Sequence, residues 1–389
     1  MAFTFFSPTK IVFGQGRSRQ IAIHARELGR SALVITGKQT QRAAVVIADL
    51  EQAGISCTVF SQWTEPRVEE IALAAQRAGS LDVDFIVAVG GGSVLDAAKA
   101  ISALVTNKGD IHDYLEVIGR GEPLVQKPLP LIALPTTAGT GAEVTCNAVL
   151  SKREQGVKVS LRSPFLYPVL AIVDPMLTLS LPPRITGETG MDALTQLIEA
   201  FVTPFTSPVT DALCREGMYR VSRSLKRAVM DGQDPGTRED MCIASLFGGM
   251  ALANAKLGAV HGIAAPLGGM IDASHGQICA RFLAPVAAIN IQRLGQTDSD
   301  IALLEKYREV AVILTHDQAA LPEDGVEMIK DLVNALEIPC LKGRGLDAPG
   351  CRILAEKAMG ASSMKGNSVA LTLEEILDLV TGVVGLSLE

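Results

Sequence analysis

Basic clusters, long apolar runs and paired cysteines are all missing from this chain, and each absence removes a class of function. With no run of Lys and Arg and a formal net charge of −7, the surface offers no sustained attraction for a nucleic-acid backbone. No apolar stretch approaches the roughly 18 residues that span a bilayer. The opening MAFTFFSPTK has neither a basic leader nor a small-residue cleavage site, so a cytoplasmic protein without membrane or nucleic-acid partners is expected. The seven cysteines (Cys57, Cys146, Cys214, Cys242, Cys279, Cys340 and Cys351) are odd in number and contain no CxxC. That argues against a disulfide framework and against a Cys-rich zinc site. Aromatic residues make up only 4%, which predicts a mainly aliphatic pocket. Nor does any period of roughly 20–50 residues recur, which excludes a solenoid or propeller.

What is present is core. Hydrophobic residues make up 48% of the 389, and charged residues 20%, a balance that suits two well-packed domains with small-molecule partners. Strand-like runs at 10–13, 32–36, 57–60, 85–89, 131–134 and 170–173 alternate with helical stretches, the pattern of an α/β domain with a largely parallel sheet. After Asp174-Pro175 the strand signals fade. Helix-compatible segments take over at 187–201, 208–228, 237–257 and 301–314. A final helix is marked by a capping box of Thr372 and Glu375, with Leu371 and Ile376 as its hydrophobic staple. The expected organisation is an α/β dinucleotide-binding domain over 1–178 and an all-helical domain over 179–389. A cleft between two unlike domains is a common place for a small-molecule site.

Three islands carry the chemistry. In the first, DFIVAVGGGSVLDAAK, a buried strand ends in Gly90, Gly91 and Gly92, and a helix follows with Ser93 as its expected N-cap and Asp96 three residues on. The unpaired N–H groups and positive dipole end of that first turn suit a pyrophosphate; the alternative is a tight turn without a ligand. In the second, PTTAGTGAEVT, hydroxyls and exposed backbone follow the apolar strand LIAL and would line a ribose and a nicotinamide amide. A polar surface loop is the alternative there. The third gathers Asp192 and Gln196, four apart and so on one helix face, with His261 and His275, two of only five histidines. A carboxylate and two imidazoles make a divalent-metal set with positions left for water or an alcohol oxygen, unless the histidines are hydrogen-bonded core residues.

Together these islands resemble the iron-containing (group III) alcohol dehydrogenase family, in the wider superfamily that includes glycerol dehydrogenase and dehydroquinate synthase. The resemblance runs almost end to end, through SPTKIVFGQG, GGGSVLDAAK, PTTAGTGAEVT, AIVDP, GMDALTQLIEA, the HG pairs at His261 and His275, and NSVALTLEEILDLV. It implies a dehydroquinate synthase-like fold, NADP or NAD lying across the carboxyl edge of the sheet, a divalent metal (Fe2+ or Zn2+) and a homodimer. By position, Gly91, Gly92 and Ser93, with Asp96, would serve the pyrophosphate. Thr136, Thr137, Thr140 and Thr145 would line the ribose and nicotinamide, and Lys158 would contact the cofactor ribose. The resemblance assigns the catalysis to Asp192, His261 and His275, and the metal to the same three with Gln196. The implied reaction is reversible interconversion of an alcohol with an aldehyde or ketone by direct hydride transfer, the metal acting as Lewis acid.

Three departures from the family pattern matter. Gln196 stands where a histidine usually completes the metal set, and an amide oxygen is a weaker donor for iron or zinc. Ala265 stands where many members carry a second histidine in HGxxH, which removes a proton relay through that side chain. Gly37 and Lys38 follow the strand ALVIT where NAD-using members commonly place an acid. Losing that carboxylate removes repulsion of a 2′-phosphate, and the ammonium would attract one, so NADP(H) is expected to serve at least as well as NAD(H); the alternative is a solvated loop cation at Lys38. Gln196 and Ala265 also keep open a metal-free NAD(P)H-dependent reductase similar to maleylacetate reductase. A lyase similar to dehydroquinate synthase, and a cofactor-binding protein without catalysis, fit the motifs less well.

Overall fold

The six apolar runs form one parallel sheet, and their alternation explains how it is covered. The structure is a computed structural model that describes residues 2–61, 65–296 and 301–386. Strands β1 (Lys10–Phe13), β2 (Ser31–Thr36), β3 (Ser56–Ser61), β4 (Phe85–Gly90), β5 (Leu131–Pro135) and β8 (Leu170–Val173) lie in the order β1-β8-β5-β4-β2-β3. On one face Leu33, Ile35, Ile86, Ala88, Leu131 and Ala133 pack with α3 (Val68–Gly79) and α4 (Gly92–Thr106). On the other, Ala32, Val34, Phe85, Val87, Ile132 and Leu134 pack with α1 (Ile21–Ala25) and α2 (Gln41–Gln52). Strands covered on both faces read as continuous apolar runs, which is why they were legible.

The strand order places a topological switch. The chain runs outward from β2 to β3, then returns to lay β4 on the other side of β2, so the carboxyl ends of β2 and β4 flank the crevice where ligands bind in open α/β sheets. Thr36 is in register with Val89, which brings the residues after each strand to one edge.

An antiparallel hairpin not among the expected strands is formed by β6 (Asn147–Lys152) and β7 (Val157–Arg162), in register from Asn147 with Arg162 to Lys152 with Val157. Its strands interleave Ser, Lys and Arg with apolar residues, and their turn uses Gly156 at φ +58. A short helix, α5 (Ile111–Tyr114), precedes β5.

The chain divides into two compact units, Ser7–Ser180 and a second made of Leu181–Glu389 with the residues up to Phe6. Residues 2–6 thus group with the helices rather than the sheet: Asn254 donates to Phe6 O at 3.0 Å, and the Phe6 N–H donates back to Asn254 Oδ1 at 2.5 Å. The helical unit comprises α6 (Pro183–Val202), α7 (Pro208–Met230), α8 (Pro235–Asn254), α9 (Ala259–Met270), α10 (His275–Leu294), α11 (Ile301–Thr315), α12 (Pro322–Ala335), α13 (Ala348–Gly360) and α14 (Leu373–Val384). Helix α6 is its axis and is almost wholly buried from Thr186 onward. Thr372 and Glu375 form the expected capping box at the start of α14, over buried Leu371 and Ile376. No single described helix is long and apolar enough to cross a membrane.

Candidate active site

In the sheet unit, the glycine loop differs from expectation by one cap. Helix α4 begins at Gly92, and Gly91, extended at φ −77 and ψ −174, is its N-cap; Ser93 is the second helical residue and is exposed. A glycine cap brings no side-chain oxygen to the first N–H groups, so the expected Ser93–Asp96 capping box does not form at this helix start. The N-cap thus supplies no side-chain acceptor to the first turn, a setting that suits an anion. The neighbouring polar loop packs closely on it. A Cβ on Gly91 would meet Thr137 Cγ2 and Oγ1 at 3.1 Å, and one on Gly92 would meet the same atoms of Thr140 at 3.0 Å. Thr136 is buried, and its N–H donates to Gly90 O at 2.9 Å. Gly37 and exposed Lys38 follow Thr36 at the carboxyl end of β2, beside β4. Gly37, Lys38, Gly91, Gly92, Ser93, Thr136, Thr137 and Thr140 therefore share one sheet edge.

Two other residues assigned to the cofactor have partners within the sheet unit. Thr145 is buried, and its hydroxyl accepts from Lys99 Nζ at 3.0 Å while donating to Ala142 O at 3.3 Å. Lys158, on β7, pairs with Glu65 at 2.5 Å. Beneath the polar loop, Lys99 is fully buried and also donates to Asn147 O at 3.0 Å. Burial pulls its ammonium down to about 8, against the charges of Asp96, Cys146 and Glu143. Burial pushes the Glu143 carboxyl up to about 7, with the Lys99 charge opposing.

In the helical unit, Asp192 on α6, His261 on α9 and His275 at the first position of α10 converge. Asp192 Oδ1 lies 3.4 Å from His261 Nε2 and 3.6 Å from His275 Nε2, yet has no hydrogen-bond partner although the residue is 2% exposed. The two rings stand 5.3 Å apart, centre to centre. Burial opposes ionisation of Asp192, but His275 and His261 outweigh it and hold the carboxyl below its ordinary range. Burial likewise opposes charging the imidazoles; Cys279, Glu199 and Asp192 hold His261 well above the usual histidine range, and Cys279 and Asp192 raise His275. An unpartnered buried carboxylate oxygen facing two ring nitrogens is a donor set that fits a divalent cation. Gln196, one turn after Asp192, is buried with its Oε1 also unpartnered.

Two residues of this site escaped the sequence reading. Glu199 Oε2 lies 2.6 Å from His261 Nδ1, and its Oε1 accepts the Val260 N–H at 2.7 Å. Its signal was the spacing from Asp192, seven residues on and so on the same face of α6. Cys279 lies one turn after His275, with Sγ 3.6 Å from His275 Nε2. Gly276 explains the HG pair there: a Cβ would stand 2.1 Å from Glu188 O, so only glycine lets α10 start this close to α6.

Comparisons with known proteins match the chain over almost its full length. Residues 8–175 match iron-containing alcohol dehydrogenase, and residues 186–384 match the C-terminal part of the Fe-containing alcohol dehydrogenase family. Choline dehydrogenase of Bacillus subtilis is 33% identical over 94% of this chain and 90% of its own length. Alcohol dehydrogenase 4 of Saccharomyces cerevisiae is 32% identical over 97% of each. The structure of sulfoacetaldehyde reductase from Bifidobacterium kashiwanohense in complex with NAD+ superposes with a TM-score of 0.87, at 30% identity over 99% of both chains. The chain belongs to the iron-containing alcohol dehydrogenase family and is an oxidoreductase acting on CH–OH groups.

Proposed function

From that membership as premise, we propose that the chain is a metal-dependent, NAD(P)-linked alcohol dehydrogenase that interconverts small alcohols with aldehydes or ketones. The observation that carries this reading is the convergence of Asp192 Oδ1 with His261 Nε2 and His275 Nε2 in the helical unit, the carboxylate oxygen buried and without a hydrogen-bond partner. Asp192, His261 and His275 would hold a divalent cation, Fe2+ or Zn2+, which would supply a Lewis acid for the alcohol or carbonyl oxygen, while a bound nicotinamide would supply the hydride chemistry.

The protein's own contribution is position and charge. Asp192 offsets cationic charge in a buried setting, and Glu199 fixes the orientation of His261 through Nδ1. Gly91 and Gly92 keep the first turn of α4 bare for a pyrophosphate, and Thr137 and Thr140 close against them. Lys38, at the switch-point edge, supports binding of a 2′-phosphate and hence use of NADPH. Ala265 offers no proton, so a relay through the side chain at this position is absent.

Gln196 and Ala265 favour the second reading, a metal-free reductase similar to maleylacetate reductase. The Asp192→Ala variant separates them. The proposed enzyme loses turnover by at least about a thousandfold (some 4 kcal/mol), while NADPH binding, followed by cofactor fluorescence, changes less than about twofold; retained turnover favours the metal-free route.

A further inference from the structure

Cys279 follows His275 by one turn of α10, and that spacing turns both side chains to one face. Its Sγ lies 3.6 Å from His275 Nε2 and 3.9 Å from His261 Nε2. Asp192 Oδ1 stands 3.6 and 3.4 Å from the same two nitrogens. The four donor atoms all lie within 4.8 Å of one another. A tetrahedral cation with bonds of about 2.0–2.1 Å to N and O and about 2.3 Å to S holds its ligand atoms about 3.3–3.6 Å apart. The sulfur thus stands where a fourth corner can form once the donors draw in, the Cys279–His261 separation by a few tenths of an ångström.

Gln196 is engaged differently. Its Oε1, buried and unpartnered, packs against Gly248, where a Cβ would stand 3.2 Å away. The sulfur is not a solitary thiol in an apolar core, because the unpartnered Asp192 Oδ1 faces the same ring nitrogens.

Resting on the reading of Asp192, His261 and His275 as metal residues, we propose that Cys279, not Gln196, is the fourth protein ligand, and that its thiolate shifts the site toward zinc over iron. Sulfur is the softer donor, and zinc accepts mixed carboxylate, imidazole and thiolate sets. Binding releases the thiol proton to solvent, with no electron transferred.

The test is Co(II) substitution of the metal-stripped full chain, read by absorption. Wild type and Gln196→Ala are expected to show a thiolate-to-cobalt charge-transfer band in the near ultraviolet beside the visible ligand-field bands. Cys279→Ser is expected to keep stoichiometric cobalt but lose the ultraviolet band, and to bind Zn2+ at least tenfold more weakly by chelator competition. X-ray absorption of the zinc-loaded wild type needs no variant, and is expected to show one sulfur neighbour at about 2.3 Å. Ligand-field bands without a sulfur signal in wild type overturn the cysteine assignment and leave the metal reading intact. Failure of wild type to bind cobalt or zinc overturns both.

Discussion

Glu199 Oε2 stands 2.6 Å from His261 Nδ1, which leaves the other ring nitrogen, Nε2, turned toward Asp192 Oδ1 at 3.4 Å. One carboxylate orients the ring from behind while another faces its donor atom. Glu199→Gln weakens the grip on Nδ1 without changing size. Such orienting partners are worth about 10–100-fold in metal affinity. A loss of that order in Zn2+ affinity is expected by chelator competition, and an unchanged affinity would mean that the imidazole needs no support.

Lys38 lies at the carboxyl end of β2, beside the glycine loop that follows β4. If it faces a 2′-phosphate, Lys38→Ala lowers kcat/KM for NADPH by about tenfold, the worth of a charge-assisted contact, and leaves that for NADH within about twofold. Equal losses with both cofactors would show that the lysine does not discriminate between them.

Glu143 and Lys99 give the sheet unit a pH signature. Burial raises the Glu143 carboxyl to about 7. Its folded value is above its unfolded one, so its contribution to stability is full below about 4.5 and is lost as pH rises through about 7. Lys99 is depressed to about 8, so its contribution is present above about 10.5 and is lost as pH falls through about 8. Stability from the pair is therefore lowest between about 7 and 8. Glu143→Gln, neutral throughout, removes the acid-side decline, at most about 3 kcal/mol. Thermal unfolding of both proteins from pH 5 to 7.5 checks this; parallel Tm profiles would refute it.

Much of the fold is legible because buried parallel strands announce themselves as apolar runs, as at Phe85–Gly90 and Leu131–Pro135. The hairpin of β6 and β7 is not, because its half-exposed strands alternate and include lysines. Ser93 misleads as a cap because capping preference ranks serine above glycine, whereas Gly91 takes the cap position. In the candidate site, Asp192, His261 and His275 stand out by rarity and neighbours. Glu199 does not, since an acid on a helix is common, and its partner lies 62 residues away. Cys279 was one of seven scattered thiols until the start of α10 fixed its face.

Metal dependence of turnover tests the account most directly. Metal-stripped protein is reconstituted anaerobically with Fe(II), with Zn(II), or with neither, and NADPH oxidation is followed with a panel of short aldehydes. The account predicts turnover only in the metal-loaded samples. Equal turnover without metal would contradict it, and would leave Asp192, His261 and His275 as proton-handling or structural residues of a metal-free reductase.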